Sequence, residues 1–316
     1  MNKLQYYETK NQLIRDSFLQ MKKNHPEKMK KKISLSWSSW IFGIEDLETS
    51  VLRLKKVGLD YIELGGFHLT SDSGSDYKTV NQILSRNDMK VSGSVGFFSP
   101  ENDLSSNSAF SRQNAVDYIR RELEFLSKLN ADYMIIVPSA VGRPDPLDSS
   151  ELHRSAEALR LCSDDFRNSG IKAAIEPIRS AEVSLVHTVS DALEYIRKVG
   201  SDDIGHINGD IYHMLLEEEH IGEAILRAGD RLVNLHLADS NRDCLGKGMM
   251  DLDTVIMASY LIGMNRDGCY LTPEPLGPYS VPYDLMNSPC NVDIMDKLVF
   301  DSVTYFRERE EIVRSL

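Results

Sequence analysis

Glu176 stands at the end of the apolar run Ala173-Ala174-Ile175, and Pro177 directly after it has no N–H to donate to a sheet ladder. A carboxylate at the end of a buried strand must be paired, protonated or bound to a metal, because burying a lone charge is very costly. The arrangement recurs downstream: Ile207-Asn208-Gly209 leads to Asp210, Leu232-Val233-Asn234-Leu235 to His236, and Tyr270-Leu271-Thr272-Pro273 to Glu274. The four residues are separated by 34, 26 and 38 positions and fall at the same end of their runs. Three carboxylates and one imidazole make a hard, oxygen-rich donor set for one divalent metal. Mn²⁺ or Mg²⁺ suits it best and Co²⁺ or Ni²⁺ can substitute, whereas a structural zinc site wants thiolates or more histidines. A cation so held can act as a Lewis acid on a carbonyl with a neighbouring hydroxyl and stabilise an enediolate. Glu176 and Glu274, on opposite flanks of the set, can then move a proton on or off the carbon beside the carbonyl.

The elements that must position these groups alternate. Apolar runs at Ile33–Trp37, Tyr61–Leu64, Lys90–Val95, Tyr133–Pro138, Ile171–Glu176, Ile204–Asp210, Leu232–His236 and Gly268–Glu274 predict eight strands. Between them, helical periodicity predicts helices such as Leu47–Val57, Arg112–Leu129, one running from Ser150 to near Asn168, Ser190–Val199 and Leu252–Ile262. Strict alternation implies a parallel sheet, and eight units in about 280 residues favour a closed (β/α)8 barrel, an α/β fold, over an open doubly wound sheet. Residues 1–32 read as an N-terminal helical extension, ended by His25-Pro26, that packs on a neighbouring subunit or caps its own domain. Residues 33–316 read as one barrel domain closed by a C-terminal helix over Asp293–Val313. In a barrel the four polar strand ends would lie together at the C-terminal face, where such barrels carry their active sites.

The totals exclude several classes. A formal net charge of −12 argues against broad phosphate-backbone binding, and the basic cluster Lys28–Lys32 reads as a solvated helix face and turn. The four cysteines, at 162, 244, 269 and 290, show no CxxC spacing, which suits plain core thiols in a reducing cytoplasm. The N-terminus has no apolar signal core and no window approaches membrane-spanning length, so a cytoplasmic location off the membrane is expected. No Gly-rich fingerprint follows the first strand, and Gly246-Lys247-Gly248 is too short for a phosphate loop.

The segments Glu176-Pro177, Gly209-Asp210-Ile211-Tyr212-His213-Met214, Asn241-Arg242 after His236, Gly246-Lys247-Gly248 and Pro273-Glu274-Pro275 resemble, in order and over about residues 33–275, the xylose-isomerase-like barrels. They look most like that superfamily's ketose 3-epimerase branch. The resemblance implies that Glu176, Asp210, His236 and Glu274 are metal ligands and that the two glutamates are the acid/base pair. It also implies that Glu182 contacts substrate, and that His213 and Arg242 hold substrate hydroxyls or the enolate oxygen.

The chain departs from the epimerases at Ile178-Arg179-Ser180-Ala181-Glu182, at His187-Thr188, in the arm 1–32, in the loop 138–144 and in the tail 274–284. These stretches, with Ser34–Trp40 (S-L-S-W-S-S-W), resemble instead the large (α) subunits of bacterial C-glycoside deglycosidases. That closer resemblance implies a carbon–carbon lyase working with a small β subunit in a heteromeric complex. Its substrates would be 3-oxo-C-glucosides, such as oxidised flavonoid C-glycosides. After deprotonation at C2 the aglycone leaves from C1, which needs a second acid. His187 is a candidate for it, with a histidine bonded to a backbone carbonyl as the plainer reading, and His213 is a further catalytic or oxygen-binding group. Arg143 and Arg179 are candidates for holding substrate hydroxyls or a subunit edge, with a surface salt bridge as the plainer reading of either. Trp37, Trp40 and Phe67 are candidates for stacking on a flat aglycone, with apolar packing at the barrel mouth as the alternative. The alternative is a ketose or inosose 3-epimerase or isomerase using the same metal-enediolate chemistry. A DNA-repair endonuclease of the same broad group needs more histidines at the barrel mouth than this chain provides.

Overall fold

A computed structural model describes residues 3–66, 77–278 and 285–316. Among the described residues seven strands, β1 (Tyr61–Gly65), β2 (Lys90–Val95), β3 (Tyr133–Ile136), β4 (Lys172–Ile175), β5 (His206–Asp210), β6 (Leu232–Leu237) and β7 (Tyr270–Pro273), form one parallel sheet in sequence order. The α-helices among the described residues are α1 (Lys3–Asn24), α2 (Leu47–Lys56), α3 (Tyr77–Arg86), α4 (Ala109–Lys128), α5 (Glu151–Arg160), α6 (Ser163–Ser169), α7 (Val189–Val199), α8 (Ile211–Glu217), α9 (Ile221–Ala228), α10 (Leu252–Leu261) and α11 (Val292–Ser315). β3 and β6 are buried at every residue, as strands must be when helices cover one face and a filled barrel the other.

The eighth expected strand is present as an extended stave rather than a ladder. Ser36 N–H donates to the Leu271 carbonyl (3.1 Å), Leu271 N–H to Ser34 (3.0 Å), Ser38 N–H to Pro273 (3.3 Å) and Glu63 N–H to Trp37 (2.8 Å). The segment thus joins β7 to β1 and closes the barrel, but with a single bridge to each neighbour it is not a regular strand.

Two other differences matter for the site. The single helix expected from Ser150 to Asn168 breaks at Leu161-Cys162 into α5 and α6. α8, unforeseen from the pattern, begins directly at Asp210, whose side chain caps it. The N-terminal arm lies against its own barrel's helices. Ile14, Phe18 and Met21 are buried, Asn11 bonds Asp251 and His220 (both 2.8 Å), and Lys10 pairs with Glu223. α11 clasps the start of the first stave, where buried Glu310 accepts from Ile33 N–H and Tyr260 O–H, each at 2.8 Å. All four cysteines are free thiols. Among the described residues no helix is long and apolar enough to cross a membrane.

One buried acid lies outside the barrel mouth. Glu122, on the α4 face toward β2, is fully buried, and neither carboxyl oxygen has a hydrogen-bond partner among the described residues. Burial pushes its pKa from 4.5 up to about 7; the Ser94 hydroxyl, nearby but outside hydrogen-bonding geometry, opposes the rise. Between those two pH values the folded protein therefore holds a proton that the unfolded chain has lost. Stability falls as pH rises through this window and levels off above it. Glu122→Gln is expected to remove this dependence. Denaturant titrations from pH 5 to pH 8 should show the wild type losing about 2.5 kcal/mol relative to the variant. Parallel curves would refute the assignment.

Candidate metal centre and active site

The four strand-end residues converge as their backbones require. Glu176 follows β4 with its N–H on the Ile136 carbonyl (3.0 Å), and Glu274 follows β7 with its N–H on Leu237 (2.8 Å). Asp210 ends β5, with Oδ1 accepting from Tyr212 N–H at 2.8 Å. His236 lies in β6, paired in register with Asp210 on one side and Thr272 on the other. Side chains alternate along a strand, so Asn208 and Asp210 face the barrel interior together, as do Asn234 and His236, and Ser36 and Ser38. Glu176, Asp210, His236 and Glu274 are each at most 5% exposed.

His236 is the hub. Its Nδ1 lies 3.5 Å from Glu176 Oε1 and 3.5 Å from Glu274 Oε2, while Nε2 points the other way, to Glu63. Donor atoms of Glu176, Asp210 and His236 lie within 4.8 Å of one another. Glu274 Oε1 accepts from Ser38 Oγ (3.2 Å) and Trp40 Nε1 (2.5 Å), which leaves Oε2 toward the centre. Burial raises the Glu274 pKa against the opposing pull of His236 and Arg242. His236 is raised well above its ordinary value, because Glu274 and Glu63 outweigh its burial. Three buried carboxylates gathered around one imidazole carry more negative charge than Arg242, 3.8 Å from Glu274, can balance. A divalent cation fits this donor set, and its oxygen-rich character suits Mn²⁺ or Mg²⁺.

Above the centre lies a cavity of about 200 Å³. Glu176, Glu274, Glu182, His213, Arg242 and Trp40 line it, with apolar walls from Phe97, Phe98, Val137, Val141, Ile178 and Met286. A larger groove of about 920 Å³ adjoins it at Phe97, Ser99 and Met286 but holds none of the four strand-end groups. His213, on α8, is buried with Nε2 3.4 Å from Asp210 Oδ2, and its Nδ1 has no partner among the described residues. Arg242 has a left-handed backbone (φ 59°), a strained conformation, and its guanidinium lies over the Tyr212 ring at 4.9 Å. Arg179 stands behind the wall, bonded to Glu182 and to Tyr212 OH (2.9 Å), so it braces Glu182.

Three expected site residues lie elsewhere. Arg143 is captured by Asp103 (2.8 Å), Ser105 (2.7 Å) and Glu151, an ion cluster tying together the loops after β2 and β3 and the start of α5. His187 Nδ1 pairs with the Ile178 carbonyl at 3.0 Å, the plainer of its two expected readings, and the ring is not in the cavity wall. Trp37 has the opposite parity to Ser36 and Ser38. It is fully buried and stacks on Phe42, at 6.1 Å and 7° between planes. Phe67 and residues 279–284 of the tail lie outside the described residues.

The residues missed from sequence are the supports: Glu63, Asn208, Asn234 and Tyr133. Glu63 is a lone carboxylate inside the run Tyr61-Ile62-Glu63-Leu64, the same signal that marked Glu176. Asn208 and Asn234 precede Asp210 and His236 by two residues, hence on the same face.

The profile of the family described as "Xylose isomerase-like TIM barrel" matches residues 51–274. A ketose 3-epimerase of Arthrobacter globiformis is 28% identical over 224 residues, covering 70% of this chain and 76% of that one. A D-psicose 3-epimerase of Agrobacterium fabrum is 26% identical over 205 residues, covering 63% and 69%. The solved structure of an L-ribulose 3-epimerase superposes with a TM-score of 0.79 at 19% identity, over 90% of this chain and 96% of that one, which is a likeness of fold. These relatives correct the expectation of a C-glycoside deglycosidase. Their names are those of sugar epimerases, and none describes a carbon–carbon lyase or a flavonoid C-glycoside.

Proposed function

The chain belongs to the xylose isomerase-like TIM barrels, and from that premise we propose that it is a divalent-metal-dependent epimerase of ketoses. The observation that carries this reading is the pair Glu176 and Glu274. Both line the cavity, both stand 3.5 Å from His236 Nδ1, and they follow β4 and β7, the strands that flank the β5–β6 pair carrying Asp210 and His236. An epimerase needs such a pair: one group takes the proton from the carbon beside the carbonyl and the other returns one to the opposite face.

In this reading Glu176, Asp210, His236 and Glu274 hold the cation, with Mn²⁺ the best match. When bound, a divalent metal supplies Lewis-acid polarisation of the substrate's carbonyl. The protein's own groups do the rest. Ser38 and Trp40 hold Oε1 of Glu274 so that Oε2 meets the substrate, and Asn208 Nδ2, 2.8 Å from Glu176 Oε1, does the same for the opposite acid. Glu182, His213 and Arg242, which line the cavity, grip hydroxyls in this reading, and the apolar wall lowers the local dielectric, which strengthens each of these contacts. The small β-subunit partner is an implication of the deglycosidase resemblance alone, and ketose epimerisation does not require it.

The test is solvent exchange. Protein loaded with Mn²⁺ and incubated with D-psicose or L-ribulose in deuterated water is expected to place deuterium at C3 and to form the C3 epimer. Absence of both for these ketoses, with Mn²⁺ demonstrably bound, would remove the assignment.

A further inference from the structure

We propose that Glu63 is a positioning residue that holds His236 with its proton on Nε2 and its Nδ1 lone pair presented to the cation. The inference rests on the metal assignment made above.

His236 Nε2 lies 3.0 and 3.1 Å from the two oxygens of Glu63. Nδ1 faces the opposite side, toward Glu176 and Glu274. A carboxylate that accepts from Nε2 selects the tautomer in which that nitrogen carries the hydrogen, and so leaves Nδ1 free to ligate. Glu63 is itself fully buried, and its Oε2 also accepts from Tyr133 OH at 2.6 Å and from Asn234 Nδ2 at 3.2 Å. Asn234 is locked in turn. Its Oδ1 accepts from Thr272 Oγ1 (2.7 Å), and its amide also donates to Asn208 Oδ1 (2.9 Å), whose own amide reaches Glu176.

One hydrogen-bonded layer beneath the centre therefore fixes both the imidazole and the first carboxylate. Donor atoms of Glu63, His236 and Glu274 also lie within 4.8 Å of one another, which raises the rival role of Glu63 as a ligand. Against that role, the two Glu63 oxygens already serve three donors, and the imidazole's other nitrogen is the one that faces Glu176 and Glu274. The layer orients the site and stays outside it.

The test reads metal binding rather than turnover. Metal-depleted wild type, Glu63→Ala and Glu63→Gln are titrated calorimetrically with Mn²⁺. Wild type labelled with ¹⁵N-histidine and loaded with diamagnetic Mg²⁺ is read by NMR for the His236 tautomer. One Mn²⁺ per chain is expected, with affinity about 10- to 100-fold lower in Glu63→Ala. The loss should be smaller in Glu63→Gln, whose carbonyl still accepts from Nε2, and the wild-type proton should sit on Nε2.

Tyr133→Phe removes only one donor to Glu63. It keeps the question decidable if Glu63→Ala does not fold, and its expected effect is a weaker loss of the same kind. Unchanged affinity in every variant, a proton on Nδ1 in the loaded protein, or a second Mn²⁺ lost on substituting Glu63 would each overturn the proposal. So would failure of wild type to bind metal. Glu63-dependent binding in a protein that epimerises no ketose would leave this inference standing and remove the proposed function.

Discussion

Glu274→Gln is expected to lower kcat by about 100- to 10,000-fold at saturating Mn²⁺, the usual worth of a positioned acid or base. The amide has the same shape, and its carbonyl can still accept from Ser38 and Trp40, which hold Oε1 at 3.2 and 2.5 Å. The atom turned toward His236 and Arg242 then becomes an NH₂, which cannot take a proton from substrate. It also replaces an acceptor 3.8 Å from the Arg242 guanidinium with a donor. Weaker Mn²⁺ binding is therefore expected alongside the kcat loss, and kinetics must be read at saturating metal. Steady-state rates on the ketose identified by solvent exchange, with metal content measured on the same samples, check this. A variant that turns over at the wild-type rate would take Glu274 out of the chemistry.

The second large effect concerns the cation. Stripping divalent metal with a chelator should abolish turnover. Returning Mn²⁺ to about 100 times its Kd should stabilise the fold by about 2.7 kcal/mol, read as a rise of several degrees in Tm. At that ratio the gain follows from the free Mn²⁺ concentration relative to Kd alone. The gathering of Glu176, Asp210 and Glu274, each at most 5% exposed, around a single imidazole acts on Kd itself, because the cation relieves their mutual repulsion. Asp210→Asn should remove most of the Mn²⁺-dependent rise while leaving the fold intact, because an amide oxygen can still cap α8 by accepting from Tyr212 N–H. A Tm indifferent to Mn²⁺ in the wild type would mean that these residues hold no metal.

Much of the architecture was legible in the chain. Parallel strands buried on both faces show near-continuous apolar runs, and helices between them show a 3.6-residue period, so the βα alternation could be counted. The weakest reading was the first stave, because Ile33–Trp37 has too few bonds to either neighbour to behave as a strand. α8 was missed because Asp210 serves as strand end and helix cap at once, which leaves no loop to signal a new element. Trp37 could have been placed correctly from period-two parity alone, since Ser36 and Ser38 flank it and face the interior. Arg143 could not, and for His187 the sequence left a second acid and a ring bonded to a backbone carbonyl both open, of which the fold selects the latter. Both sit on loops, where side-chain direction is settled by whichever partner the fold brings near: Glu151 and Asp103 for one, the Ile178 carbonyl for the other.

By itself the sequence determined the donor types, their order and their place at the ends of successive strands, because burial energetics forbid an unpaired carboxylate there. It also determined that Asn208 and Asn234 share a face with Asp210 and His236. Only the tertiary structure decided which nitrogen of His236 faces the centre. That choice depends on Glu63, 173 residues earlier in the chain, and on Tyr133 and Asn234, which hold it. Ring orientation follows from hydrogen bonds across the barrel, and no local pattern encodes a partner that distant.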